Sequence, residues 1–372
     1  MGQSYDFSML YASSAALADG RDPYVLADAT QSMAQRGGQL DATAVLLYPH
    51  TALAVLWPLT WLSWNAARLT WVGVQLLAFV GLAAGLRRLS GGRLNHGPAS
   101  CLWVVAWLLW APVHTGFAVG QAALPVVFGM VWALVLAEDG KRWGAAILLG
   151  AAMALKPQLG LAFLPLFVMR KHWVAGLGAV LVLALFSMAG ARLDGTAPDW
   201  GKHWLANLQA FSHGGYGDVA LPWARAQMVQ ASALFASLGV ASPEAWGCGL
   251  AGLPACVWLA AQWRSRGTRP DPLDMAAMLS LLALLAGYHR SYDAVLALVP
   301  MSWALRRLAD HWRDGPGLAV ALALAAFVTP GGAWLFQACA AHAGAWWMQY
   351  QTLALVAATA GMLAAMLIRE KN

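Results

Sequence analysis

The sequence predicts an all-α polytopic membrane protein, and three observations carry that prediction. Sixty per cent of its 372 residues are hydrophobic and 11% are charged, against roughly a quarter charged in soluble domains. Apolar runs such as Trp71–Leu86, Leu318–Phe327 and Leu353–Ile368 span or nearly span a bilayer. The basic residues collect in short clusters between such runs: Arg87, Arg88 and Arg93; Lys141 and Arg142; Arg170 and Lys171; Arg264, Arg266 and Arg269; Arg306, Arg307 and Arg313; Arg369 and Lys371. A formal charge of +6 spread in this way reports topology, not a nucleic-acid partner.

Placing every basic cluster in the cytoplasm gives one consistent arrangement, with about eleven transmembrane or re-entrant helices, the N-terminus outside and the C-terminus inside. A single domain over residues 1–372 follows. The outward connections are then residues 1–65, His114–Gln121, Lys156–Gln158, Arg192–Glu244, His289–Asp293 and Gln337–Ala345. Residues 1–65 form a first extracytoplasmic segment with interfacial helices. A polar segment of that length needs a preceding helix to direct its export, so the native protein is expected to carry a transmembrane helix before Met1; the alternative is that residues 44–63 span fully, which would put some basic clusters on the wrong side. No cleavable signal peptide is visible.

Two helix pairs are too short to cross. Trp143–Leu155 and Leu159–Met169 enter and return with Lys156-Pro157-Gln158 at the apex, and Met275–Tyr288 and Ala294–Leu305 do so around His289-Arg290-Ser291-Tyr292-Asp293. Non-helical backbone at membrane depth survives only where protein buries it or a wet cavity receives it. Two charged apices facing one outer cavity are the expectation. The loop Arg192–Glu244 carries Trp200, His203, Trp204, Phe211, Tyr216 and Trp223. Such aromatics anchor a membrane interface or stack on sugar rings.

Each candidate for chemistry has a plain structural alternative. Asp6 is either the N-cap of the run that follows it or a general base. Lys156 either snorkels to the interface or holds a lipid-linked phosphate as a point charge, with Gln158 near it to bond a sugar or phosphate oxygen. Arg290 and Asp293 either pair to hold their turn or, with His289, bind phosphate and move a proton. Gly120-Gln121 offers an amide on the same side, and Tyr48-Pro49-His50 opens the segment that dips into the outer leaflet. The four cysteines (Cys101, Cys248, Cys256, Cys339) have no metal-ligand spacing and read as packed free thiols. No HExxH, GxSxG or CxxC pattern occurs, which weighs against a zincin, an α/β-hydrolase or a redox enzyme.

Taken together, DFSMLYASSAALADGRDPY, LLYPHTALAVLWPL and GQAALPVVFGMVWALVLAEDGKRWGAAILLGAAMALKPQLGLAFLPLF resemble glycosyltransferase family 87, the polyprenyl-phosphate-sugar-dependent mannosyl- and arabinofuranosyltransferases with a GT-C membrane fold. The resemblance is closest in the first half of the chain and looser over Tyr288–Pro300. It implies a GT-C-type bundle, here lacking the family's first helix, with Asp6 as catalytic aspartate. Tyr48-Pro49 matches the family's Tyr-Pro-Pro with His50 in place of the second proline, while Lys156-Pro157 matches its Lys-Pro and Gly120-Gln121 its Gly-Gln. It further implies inverting transfer of a sugar from polyprenyl phosphate to a glycolipid, glycan or protein hydroxyl. The phosphate charge would be held by Lys156 and Arg290, at the outer face of a cell (inner) membrane, with no metal or other cofactor. Tyr48, Gln121, Gln158, His289 and Asp293 complete the expected donor-binding set.

The main rival is a multi-pass transporter or lipid-linked sugar flippase, which would use broken helices equally well. No internal repeat of the transporter kind is visible. A polysaccharide polymerase or ligase is disfavoured because the long outer loop is mid-chain.

Overall fold

The computed structural model describes residues 5–95, 97–193, 199–264, 271–328 and 349–369. Arg266, Arg269, Cys339, Lys371 and the connection Gln337–Ala345 lie outside them. In chain order the helices are α1 (Tyr5–Ala18), α2 (Leu26–Gln35), α3 (His50–Leu56), α4 (Trp64–Leu89), α5 (Gly97–Leu109), α6 (Ala111–Val119), α7 (Ala123–Glu138), α8 (Arg142–Leu155), α9 (Pro157–Gly160) and α10 (Leu164–Met169). They continue with α11 (Trp173–Leu193), α12 (Trp200–Ser212), α13 (Pro222–Arg225), α14 (Ala231–Ser237), α15 (Pro243–Arg264), α16 (Pro272–Ala286), α17 (Leu298–Asp310), α18 (Gly315–Leu324) and α19 (Tyr350–Arg369). Among the described residues every regular element is helical, with one isolated bridge between Met228 and Arg290.

Four helical stretches are long and apolar enough to cross a membrane: Trp64–Leu89, Gly97–Val119, Trp173–Ala191 and Tyr350–Ile368. Five shorter apolar helices accompany them, Arg142–Leu155, Pro157–Met169 and Pro272–Ala286 among these. The long helices expose what a soluble protein hides. Leu69, Leu77 and Val80 on α4, and Leu177, Leu181 and Leu185 on α11, are all more than half exposed. Apolar surface of that extent belongs against lipid. The chain is a polytopic membrane protein.

It divides into two compact units. The first comprises Met1–Leu82, Thr115–Phe167 and His172–Asp218. Within it α1 is buried along most of its length. The Phe7 ring stacks on Trp71 (5.2 Å between centroids) and on Trp64 (5.6 Å), and the Tyr11 hydroxyl donates to Leu62 O at 2.6 Å. Aromatic pairs of this kind add about 0.5–1.5 kcal/mol each beyond the area they bury. Together they set the rotation of α1 and so the direction of Asp6. α8 and α11 approach closely at Gly150, where a Cβ would lie 2.5 Å from that of Val182; small residues let membrane helices do this.

The second unit comprises Ala83–His114, Val168–Lys171 and Val219–Asn372. Arg306 on α17 is its staple, donating to Asp271 at 2.9 Å and to Asp274 at 2.6 Å. The Trp303 indole donates to the same Asp274. Asp271 also caps α16, accepting from the backbone of Leu273 and Asp274. α16 therefore starts at Pro272, ahead of the expected Met275, because a cap and a proline at the first turn set its start.

Two further expectations change. The thiols of Cys101, Cys248 and Cys256 are free, but they are exposed on α5 and α15 instead of packed, and a membrane helix can face such a weakly polar group to lipid. The segment Arg192–Glu244 is not an open loop: α12, α13, α14 and the start of α15 occupy much of it.

Candidate active site

The first unit builds its site from two interrupted helices and the buried α1. Gly120, at φ +72°, turns the chain between α6 and α7. The carbonyls released by that turn are taken by side chains of α4: Trp71 Nε1 donates to Gly120 O at 2.8 Å, and Gln75 Nε2 to Gln121 O at 2.9 Å. The second interruption is Lys156, at φ −148° and ψ 83°, driven out of helical geometry by Pro157. There the Thr51 hydroxyl donates to Ala154 O at 2.7 Å, while Lys156 O accepts from the amides of Leu159 and Gly160. Non-helical backbone is thus satisfied by protein groups, as a low-dielectric interior demands.

These turns bring two distant residues, Asp6 and Lys156, onto the side-chain amide of Gln121. Gln121 Nε2 donates to Asp6 Oδ2 at 2.8 Å, across 115 residues of sequence. Gln121 Oε1 accepts from Lys156 Nζ at 3.2 Å and from the Ala122 amide at 2.8 Å. Two donors on one side and a carboxylate on the other fix which way the amide points. Asp6, Gln121 and Lys156 are 8%, 2% and 5% exposed. A carboxylate, an amide and an ammonium held this way can take a proton and stabilise a developing negative charge.

An apolar cavity of about 380 Å³ lies in the same unit. Its walls come from α4 (Val74, Leu77), α7 (Pro125, Phe128) and α8 (Leu148, Leu155). Leu155, in that wall, directly precedes Lys156 in the chain.

Beside α3 sits a polar and aromatic cluster that sequence reasoning only partly anticipated. The Tyr24 hydroxyl donates to Tyr48 O at 2.8 Å and lies 2.9 Å from His50 Nδ1. The Trp200 ring covers His50 at 3.7 Å between centroids. Burial holds the His50 imidazole down, at about 4, so the ring is neutral at physiological pH. His203 Nδ1 lies 2.6 Å from Asp22 Oδ2, and Trp204 and Asn207 donate to backbone carbonyls of residues 24, 46 and 47. Tyr48 therefore contributes its carbonyl to a scaffold, and Gln158 is exposed on α9. Asp22, Tyr24, Gln75 and Thr51 were missed as individuals. Their only sequence signal was polarity inside or beside apolar runs.

The second unit holds His289, Arg290 and Asp293 together in one turn. His289 Nδ1 lies 3.4 Å from Asp293 Oδ2 and its Nε2 lies 3.0 Å from Ala283 O. The Arg290 amide donates to the same Asp293 oxygen at 3.4 Å. Residues 227–230 run antiparallel to this turn: Val229 N donates to His289 O, Ser291 N to Gln227 O, and Gln230 Oε1 accepts from His289 N. The Arg290 guanidinium donates to Gln227 Oε1. His289 and Asp293 are 1% and 2% exposed, and Arg290 is half-buried. Gln227 and Gln230, unmarked by any motif, complete the apex.

No curated protein and no solved structure matches the chain. A family model does match, over residues 46–287, and its description is glycosyltransferase family 87. The matched stretch holds Tyr48, Gln121 and Lys156, with Asp6 upstream of it and the His289 turn just past its end. Spanning well over half of the sequence, the match settles the family: the chain belongs to glycosyltransferase family 87.

Proposed function

We propose that the chain is an inverting glycosyltransferase that moves a sugar from polyprenyl phosphate to an acceptor hydroxyl. It would work at the outer face of a cell (inner) membrane, toward the periplasm or exterior. The observation that carries this reading is the Asp6–Gln121–Lys156 chain, in a unit that also holds an apolar cavity walled in part by Leu155. A lipid-linked phosphate has the two halves that such a place would receive, an anion for the ammonium and a hydrocarbon tail for the cavity.

In the proposed step the acceptor hydroxyl gives its proton to the Asp6 carboxylate as its oxygen bonds to the anomeric carbon from the face opposite the phosphate. The bond from that carbon to the phosphate oxygen breaks, and its electron pair leaves with the polyprenyl phosphate. Lys156 pairs with the added negative charge. Gln121 positions both partners through its two ends. On the chemistry of its own turn in the second unit, Arg290 is a donor-binding proposal as a guanidinium suited to phosphate, with His289 and Asp293, also donor-binding proposals, shaping that turn. Gln158 and Tyr48 are donor-binding proposals of lower rank: one is exposed next to the Lys156 turn and the other acts through its backbone.

The test supplies membranes carrying the protein with radiolabelled sugars, either on polyprenyl phosphate or as nucleotide sugars. Transfer from the lipid-linked donor alone, with the product anomer inverted, is the expected result. Transfer from nucleotide sugars, or retention of configuration, contradicts the reading.

A further inference from the structure

On α4 the buried positions Ala67, Trp71, Gln75, Ala78 and Leu82 recur at three- and four-residue spacing, so they form one face of the helix. Gln75 is the polar member of that stripe, with 0% of its surface exposed. A glutamine is costly there unless its amide is used. Gln75 Nε2 donates to Gly116 O at 3.3 Å and to Gln121 O at 2.9 Å. Its Oε1 accepts from nothing among the described residues, so the side chain gives up an acceptor to place two donors on the turn between α6 and α7.

That turn closes without help from α4. Gly120 N donates to Phe117 O at 3.3 Å and Gln121 N to Gly116 O at 2.9 Å, the paired bonds with which a helix ends on a left-handed glycine. The donors from α4 therefore fix where the closed turn sits. Trp71 does so with its indole bond to Gly120 O, and the same ring lies nearly parallel to that of Phe7, at 7° between planes. Phe7 follows Asp6 in α1, and Gly120 precedes Gln121. One buried side chain thus holds a neighbour of each partner in the 2.8 Å contact between the Asp6 carboxylate and the Gln121 amide.

We infer that Trp71 is a positioning residue for the transfer reaction. It keeps the Asp6 carboxylate and the Gln121 amide in register, with Gln75 holding the same turn from one helical turn further along α4. The inference rests on the proposed role of Asp6 and supplies the reason that a base carried on α1 keeps its aim. Trp71 touches no reacting atom. A shift of about 1 Å in a catalytic group can cost about 10²-fold, and a ring stacked on one neighbour and bonded to the other removes that freedom. Donor binding does not depend on this contact, so the effect falls on kcat.

The test measures transfer from radiolabelled polyprenyl-phosphate sugars, per folded molecule, in membranes carrying wild type, Trp71→Phe, Gln75→Met or Trp132→Phe, each also in the Asp6→Asn background. Trp71→Phe keeps a ring to stack on Phe7 and removes the indole donor. Gln75→Met removes the other donor and leaves the stack in place, and it carries the same expectations should Trp71→Phe fail to fold. Trp132→Phe is the matched control, since its indole joins α7 to α4 by donating to Gly81 O at 2.6 Å, further along α4. The expected result is a kcat lowered about tenfold in Trp71→Phe and in Gln75→Met, with donor KM within about twofold of wild type. In the Asp6→Asn background the same substitutions cost less than about twofold, because no base is left to aim. Trp132→Phe keeps wild-type kcat. Wild-type kcat in Trp71→Phe and Gln75→Met, equal losses in both backgrounds, equal losses in Trp132→Phe, or a raised donor KM with kcat fixed overturn the positioning role and leave the reaction standing. No transfer by wild type, or unchanged transfer by Asp6→Asn alone, strikes the reaction itself and the positioning role with it.

Discussion

The two units solve one problem, an interrupted apolar helix with charge at the break, in different ways. In the second unit His289, Arg290 and Asp293 answer one another within five residues, and two glutamines from residues 227–230 complete the turn. Local turn chemistry accounts for much of that arrangement. In the first unit Asp6, Gln121 and Lys156 come from three elements separated by 115 and 35 residues. No turn needs them to meet, and bringing ionisable groups together inside a membrane protein is expensive. The convergent group is therefore where turnover should reside, and the local one is mostly architecture that presents Arg290.

Several substitutions sharpen or break that contrast. Asp6→Asn, measured as transfer per folded molecule, should cost about 10³-fold, within the span of general-base effects. Lys156→Met should cost about 10²-fold and raise donor KM, since in the proposed reaction the leaving phosphate would lose its cation. In the second unit, Arg306→Met strands the buried Asp274 and should destabilise the protein by about 3–5 kcal/mol in detergent unfolding. Transfer per folded molecule should be unchanged there. Asp293→Asn weakens bonds to His289 and Arg290, with an expected loss of about 1–3 kcal/mol in stability and less than tenfold in turnover. A large turnover loss with intact stability in Asp293→Asn would erase the distinction between the units.

The smallest effect concerns pH. His50 titrates at about 4 in the fold and near 6.5 in the unfolded chain. Because its folded value is depressed, the unfolded chain binds the proton first. Stability is complete above about pH 6.5 and falls as pH drops toward 4, by about 3 kcal/mol in all. Thermal unfolding of wild type and His50→Phe across that window checks this, with the slope reduced in the variant.

The sequence exposed the membrane class and the two short helix pairs because apolar runs and basic clusters are properties of neighbours along the chain. Lys156-Pro157 was legible as a break for the same reason, since proline acts on the residue before it. Asp6 and Gln121 were marked as candidates, but not as partners, because their meeting depends on how Phe7 stacks on Trp71 and how Gly120 turns. Thr51 and Gln75 were invisible: each is defined only by the carbonyl it satisfies. Arg192–Glu244 read as loop because its helices are short and polar on one face, and α12 is fixed by side-chain bonds to backbone instead of by a buried stripe.

In the proposed reaction Asp6 and Lys156 act as one site through Gln121. A double-mutant cycle of Asp6→Asn and Lys156→Met, with transfer normalised to folded protein, tests it most directly. Residues that act as a unit give strongly non-additive losses. The double variant should be about as impaired as the worse single variant. Losses that multiply, or singles that transfer like wild type, would contradict it.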